Sequence, residues 1–166
     1  MSGKTIGLSM NHGFAGSYAR QPDMIINTKP NIGSADIPFG APLMQASGGV
    51  QFPTGSLTAA TFVGIAARQI QSADSYLTQN DAGVYKQNEP VSVFQRGRIN
   101  VKCAQGTPAL YGAVYVRITA DTGKNVGDFE CAADSGKCIQ ITNCQWGGPK
   151  DANGIAELVI FAGIGA

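Results

Sequence analysis

The sequence carries little charge and no long apolar run, and each absence excludes a class of function. Only 14% of the 166 residues are charged, and 12 Lys and Arg against 11 Asp and Glu leave a net charge of +1. Nucleic-acid-binding domains present a strongly basic surface, so we expect no direct nucleic-acid partner. No apolar segment approaches the roughly 20 residues of a membrane-spanning helix, and residues 1–17 lack the charged-then-apolar order of a secretory signal. We therefore expect no membrane partner.

Side chains suited to metal or redox chemistry are also scarce. The sequence has one histidine, His12, and no Cys-x-x-Cys pair. The four cysteines are Cys103, Cys131, Cys138 and Cys144. This spacing argues against a zinc site and against a thioredoxin-type redox site. Cys131 and Cys138 flank a predicted turn, so a hairpin could bring this pair to disulfide distance, and free thiols are the alternative.

Three short motifs look catalytic but have simpler explanations. Residues 2–5 (Ser-Gly-Lys-Thr) resemble the end of a phosphate-binding loop, yet the first glycine and a preceding strand are missing. Residues 121–123 (Asp-Thr-Gly) and 134–136 (Asp-Ser-Gly) resemble aspartic-protease triplets, in which two carboxylates share a proton. Asp and Ser before Gly also favour tight turns, which is the interpretation we adopt. We expect no enzyme, no cofactor and no catalytic or metal-binding residue.

Glycine and proline are plentiful, with 22 and 8 residues, which predicts many turns and disfavours a helical bundle. From Phe39 onward, short apolar runs alternate with turn residues, a pattern typical of an all-β domain. The predicted strands cover residues 61–65, 91–95, 98–103, 113–119, 138–146 and 155–161. The predicted turns contain Gly106, Gly123, Gly136 and Gly154. We expect a single β-sandwich or β-barrel, with a short helix over residues 66–77 as an alternative for that stretch.

Alternation within two of these strands predicts which side chains face the core. In residues 98–103, Ile99, Val101 and Cys103 are expected to face inward, with the intervening polar residues in solvent. In residues 113–119, Val114, Val116 and Ile118 are expected to face inward, and Tyr115, Arg117 and Thr119 are expected to face outward.

Residues 1–35 differ from the rest because they are rich in glycine and show neither a helical nor a strand period. We predict an extended N-terminal arm over residues 1–35 and a β-rich domain over residues 36–166. The arm is more apolar than a solvated tail usually is, so we expect it to contact another molecule. A disordered terminus is the alternative.

Several segments resemble a known family. Residues 13–20 (Gly-Phe-Ala-Gly-Ser-Tyr-Ala-Arg), 34–40 (Ser-Ala-Asp-Ile-Pro-Phe-Gly), 63–66, 90–93 and 96–101 (Arg-Gly-Arg-Ile-Asn-Val) are similar to structural cement, or head decoration, proteins of tailed bacteriophages. The resemblance extends from residue 13 to about residue 120, and the cysteine-bearing region after residue 125 lies outside it. It implies a β-rich protein without an active site that sits on the outer surface of a capsid and bridges major capsid protein subunits.

If the resemblance holds, the protein is made in the host cytoplasm and resides in the virion. Its expected partners are the major capsid protein and copies of itself, as a dimer or trimer. The candidate capsid-interface residues are Phe14, Tyr18, Arg20, Met24, Ile26 and Arg68. An alternative function is a carbohydrate- or receptor-binding β-domain of a phage tail or adhesin, which would need exposed aromatic side chains on a concave face.

Overall fold

The computed structural model describes residues 11–69 and 83–161, and all regular secondary structure in these ranges is β-strand. The all-β prediction is confirmed. The strands are β1 Tyr18–Pro30, β2 Ile37–Pro38, β3 Pro42–Ala46, β4 Gly49–Gln51, β5 Phe62–Ala66, β6 Val84–Tyr85, β7 Pro90–Gln105, β8 Ala113–Arg117, β9 Phe129–Glu130, β10 Cys138–Trp146 and β11 Ile155–Ile160.

Five strands close into a barrel in the order β7, β11, β10, β8 and β9. Strand β11 pairs with both β10 and β7, while β9 pairs antiparallel with β8 and parallel with β7. Closure leaves no free edge among these five strands. The interior is filled by buried apolar side chains, among them Ile99, Val101, Val114, Val116, Ile141, Trp146 and Leu158.

A second layer extends from the first half of β7. Strand β5 pairs with β7 through Ile65 opposite Phe94, and β3 and β4 continue the sheet outward. A second apolar cluster packs between this extension and the two-stranded sheet of β2 and β6. The Tyr85 hydroxyl anchors this sheet by donating to the Ala67 carbonyl oxygen at 2.6 Å.

Two predicted strands, over residues 91–95 and 98–103, are halves of the single strand β7. Gly97 lies between them with a φ of 110°, a conformation that favours glycine. A Cβ at this position would lie 2.1 Å from the Asp23 carbonyl oxygen of β1. Glycine therefore lets β1 approach β7 at an irregular point of their register.

The described part of the predicted arm is extended and contacts its own domain. Strand β1 runs antiparallel to β7, from Tyr18 opposite Ile99 to Pro30 opposite Pro90. Before it, the Gly16 N–H donates to the Asn100 carbonyl oxygen at 2.8 Å. The division between an arm over residues 1–35 and a domain over residues 36–166 stays a prediction.

The predicted alternation is right for apolar positions and wrong for two polar ones. Ile99, Val101 and Cys103 are buried as expected. Asn100 is also buried, because residues 12–17 cover it and its Nδ2 donates to the His12 carbonyl oxygen at 2.6 Å. Arg117, expected in solvent, is fully buried between the acidic side chains of Glu130 and Asp134. The possible helix over residues 66–77 is replaced at its start by the end of β5, and its remainder from residue 70 lies outside the described residues.

Candidate functional site

The two aspartate triplets lie together in an ion-pair cluster at one end of the barrel. Asp134 accepts hydrogen bonds from Arg117 at 2.8 Å and from Lys124 at 3.4 Å, and Asp121 is paired with Lys137. These cationic partners lower the pKa of each aspartate below its usual range, with the hydrogen bond from Lys137 dominant for Asp121 and that from Arg117 dominant for Asp134. Both carboxylates are therefore ionised at neutral pH, unlike a protease dyad that shares one proton.

Arg117 and Glu130 form the buried centre of this cluster. The guanidinium contacts both carboxylate oxygens, with Nη2 donating to Oε2 at 3.1 Å and Nε donating to Oε1. The hydrogen bonds to Glu130 and Asp134 raise the pKa of Arg117. The two charges compensate each other, and the ion pairs connect β8, β9 and the turn at residues 134–137.

His12 also has a structural set of contacts. Its backbone N–H donates to Asp151 Oδ2 at 2.9 Å, and its Nε2 lies 3.1 Å from the Pro149 carbonyl oxygen. Asp151 also accepts N–H groups from Asn153 and Ile155. Burial alone would raise the pKa of Asp151, but these three N–H groups lower it below its usual range. His12 therefore ties the N-terminal segment to the turn that precedes β11.

The cysteines do not adopt the predicted pairing of Cys131 with Cys138. The thiols of Cys103 and Cys131 lie 3.2 Å apart, whereas Cys138 donates to Glu130 Oε2 at 3.4 Å. Cys144 is buried, and burial raises the pKa of its thiol to about 12. All four cysteines are free thiols. Across the described parts of the chain, no three His, Cys, Asp or Glu side chains converge in a way that could hold a metal ion.

The six candidate interface residues fall into three environments. Phe14 and Tyr18 are exposed; the Arg68 guanidinium lies 4.7 Å from the ring centre of Phe14, and Tyr18 stacks on Phe94. Arg20 reaches back to Glu157, with 3.0 Å between its Nε and Oε2. Met24 and Ile26 point inward and pack against the barrel core. These two side chains are partly buried and help to hold β1 on the barrel, and their role at a capsid interface stays a prediction.

Four large exposed apolar side chains of the described residues lie outside the set of six candidate interface residues. They are Ile25, Leu110, Tyr111 and Phe161. Ile25 lies on β1 between Met24 and Ile26, and because all three residues are apolar, the sequence carries no alternation that separates the exposed side chain from its two partly buried neighbours. Leu110 and Tyr111 lie in the loop between β7 and β8, where two adjacent large apolar residues are themselves unusual.

Beside the exposed N-terminal segment lies a groove of about 700 Å³. Phe14, Phe39, Phe52 and Phe129 line it together with the loop at residues 125–128. Arg68 bridges two of these rings, since its guanidinium carbon is also 5.8 Å from the ring centre of Phe39. The groove therefore sits where the N-terminal segment, the outer sheet and the barrel meet.

Comparison with known proteins identifies the family. Residues 3–160 match the family described as Structural cement protein (E217 gp24/Pam3 gp6). The chain belongs to this family of phage structural proteins. Among solved structures, it is similar to a chain in the capsid of Myoviridae Phage XM1, with 17% identity, a TM-score of 0.67, and coverage of 97% of this chain and 98% of that one. A search of curated proteins finds no significant match.

Family membership gives this cement protein a structural role in the phage capsid and a place in the virion. The match reaches residue 160, so it includes the cysteine-bearing region that the sequence resemblance did not cover. In the parts of the chain that the structure describes, no helix has both the length and the hydropathy needed to cross a bilayer.

Proposed function

We propose that this cement protein binds the outer surface of the phage head and bridges neighbouring major capsid protein subunits, with β1 and residues 11–17 as its contact. The open edge of β1 carries the proposal. Among the described residues, β7 is the one strand that pairs with β1, and most residues of β1 are exposed. An unpaired strand edge offers N–H and C=O groups to a strand of another chain.

Side chains along the same segment supply apolar anchors. Ile25 is 47% exposed, and Phe14 and Tyr18 are also accessible. Between them, Arg20 and Arg98 both pair with Glu157 of β11, which fixes the start of β1 on the barrel. A partner strand would therefore meet a surface that is already ordered, and less conformational entropy would be lost on binding.

Bridging also requires more than one contact for each assembly, and we propose that the protein acts as a dimer or trimer. Once one copy is bound, the next contact becomes effectively intramolecular, so modest affinities combine into durable attachment. Sedimentation equilibrium of the purified protein measures the oligomeric state directly. A strictly monomeric protein, both free and on the head, would contradict this part of the proposal.

The experiment mixes purified protein with closed, empty, mature heads and measures co-sedimentation. Because a closed shell excludes added protein from its interior, saturable and stoichiometric binding reports the outer surface. Ile25→Asp should weaken binding on the order of tenfold or more, since burying an isoleucine contributes roughly 1.5–3 kcal/mol.

Leu110→Asp is the matched control. Leu110 is 57% exposed, similar to Ile25, but lies in the loop between β7 and β8. We expect this variant to bind like the wild type. Equal binding of Ile25→Asp and the wild type, or loss of binding only in Leu110→Asp, would show that β1 is not the contact.

A further inference from the structure

Two cysteines face each other across the seam between β7 and β9. Cys103 lies near the end of β7, and Cys131 follows β9 directly. The Cys131 N–H donates to the Gln105 carbonyl oxygen at 3.2 Å, so the two chain segments are neighbours at strand spacing. The register places Phe129 opposite Cys103 and Glu130 opposite Gln105, so Cys131 lies directly after the end of this short ladder.

The sulfur atoms point at each other, with 3.2 Å between the two Sγ atoms. A disulfide bond is about 2.05 Å long, so closing it needs an approach of about 1.1 Å. Cys138 and Cys144 have other contacts, at Glu130 and Asn143. The chain therefore brings one thiol pair together and separates the other two thiols from it.

We propose that Cys103 and Cys131 form an intramolecular disulfide under oxidising conditions and that this bond cross-links β7 to the segment that follows β9. With a small-molecule disulfide such as oxidised glutathione, Cys131, which is partly exposed whereas Cys103 is buried, reacts first. Its thiolate attacks one glutathione sulfur, forms a mixed disulfide and releases one glutathione thiolate. The Cys103 thiolate then attacks the Cys131 sulfur and releases the second glutathione. In total, two protein thiols lose two electrons and two protons, and one glutathione disulfide becomes two glutathione thiols.

Both thiols remain protonated, and therefore weakly reactive, at neutral pH. Burial raises the pKa of Cys103, and burial together with the neighbouring Cys103 thiol raises the pKa of Cys131 to about 12. Of the charged groups nearby, Lys150 lowers and Glu130 raises these values. Because the thiolate is the reacting form, the bond should form slowly and about tenfold faster for each unit of rising pH.

The position of the bond gives it a structural effect. Strand β9 has two residues, the shortest of the five barrel strands, and holds to β7 through a short parallel ladder with an irregular register. A covalent link here would secure one of the two least extensively paired seams of the barrel, the other being that between β8 and β9. This inference does not depend on capsid binding, so the two can fail separately.

The test compares full-length protein incubated with oxidised glutathione or with dithiothreitol, followed by non-reducing trypsin mapping. Cleavage after Lys102, Arg117, Lys124, Lys137 and Lys150 places Cys103 in peptide 103–117, Cys131 in peptide 125–137, and both other cysteines in peptide 138–150. The expected product links peptides 103–117 and 125–137. Before digestion, the oxidised protein should have a higher melting temperature than the reduced protein.

The matched controls are two serine variants. Cys131→Ser should lose the cross-linked peptide and the thermal shift between oxidised and reduced samples, while Cys138→Ser should keep both. A link between peptides 125–137 and 138–150, a link between two chains, or fully reduced protein after prolonged oxidation at alkaline pH would each overturn the proposal.

Discussion

The buried ion pair between Arg117 and Glu130 predicts a large loss of stability in a single variant and only a small change in the matching double variant. Arg117 has no exposed side-chain surface and Glu130 has 4%. Arg117→Met removes the guanidinium and leaves the Glu130 carboxylate buried without a counter-charge. Breaking a buried pair in this way costs roughly 3–5 kcal/mol, a large part of the stability of a small domain.

The double variant Arg117→Met with Glu130→Leu should recover most of that loss. Both charges are then absent, so neither needs solvation, and apolar side chains of similar size can pack against the neighbouring barrel core. Asp134 loses one partner but is partly exposed and retains Lys124. We expect the double variant to lie within about 1 kcal/mol of the wild type, which corresponds to strong coupling between the two positions.

The assay is equilibrium urea unfolding at pH 7, followed by the fluorescence of the buried Trp146 and by circular dichroism. Arg96→Gln serves as the control, because its pair with Asp23 is exposed on both sides and should contribute less than about 1 kcal/mol. A cost below about 1 kcal/mol for Arg117→Met, or a double variant no more stable than the single one, would refute the reasoning.

Three further predictions follow from local geometry. Gly97→Ala should lower the free energy of unfolding, measured in urea, by at least about 2 kcal/mol, because the methyl group would clash with β1. Gly136→Ala has open space around it and should lower it by about 1 kcal/mol, because only its positive φ is unfavourable. The pKa of Asp151 is lowered in the folded state, so its carboxylate stabilises the fold fully above the unfolded-state pKa of about 3.9, and this stabilisation is lost as the pH falls further. Asp151→Asn should therefore have a lower melting temperature than the wild type at pH 7, and the difference in melting temperature should shrink in acid. The bond between Cys103 and Cys131 spans 28 positions, so oxidation should add up to about 3.5 kcal/mol, measured as the difference in unfolding free energy with and without dithiothreitol.

The strands of the barrel could be predicted because each has a pattern imposed by one buried face. The predicted segment 138–146 coincides with β10, and the predicted segment 155–161 differs from β11 by one residue. Strand β1 carries no such pattern. Most of its side chains are exposed and only Met24 and Ile26 pack inward, so its strand structure follows from hydrogen bonding to β7 rather than from local alternation.

The polar interior could not be predicted, because it depends on contacts between distant segments. Arg117 follows the alternation of a solvent-facing residue, yet Glu130 and Asp134 meet it from the far side of a loop. The same loop carries Cys131 to Cys103 on β7, while turn spacing alone had favoured Cys138. Sequence separation is a guide within a hairpin, but a closed barrel also joins strands that are far apart in the chain.

The attachment of β1 explains how a contact made outside the barrel can act on the whole fold. Strand β7 pairs with β1, and it also pairs with β5, β9 and β11. Its Phe94 belongs to the barrel core, and the adjacent Val93 belongs to the second apolar cluster. If β1 is the capsid contact, a load applied along it would be shared by the hydrogen bonds to β7 and would reach both apolar clusters. If the proposed contact is correct, Gly97→Ala should loosen β1 and release the protein from heads faster than Gly136→Ala does, and equal release rates would show that the load does not pass through β1.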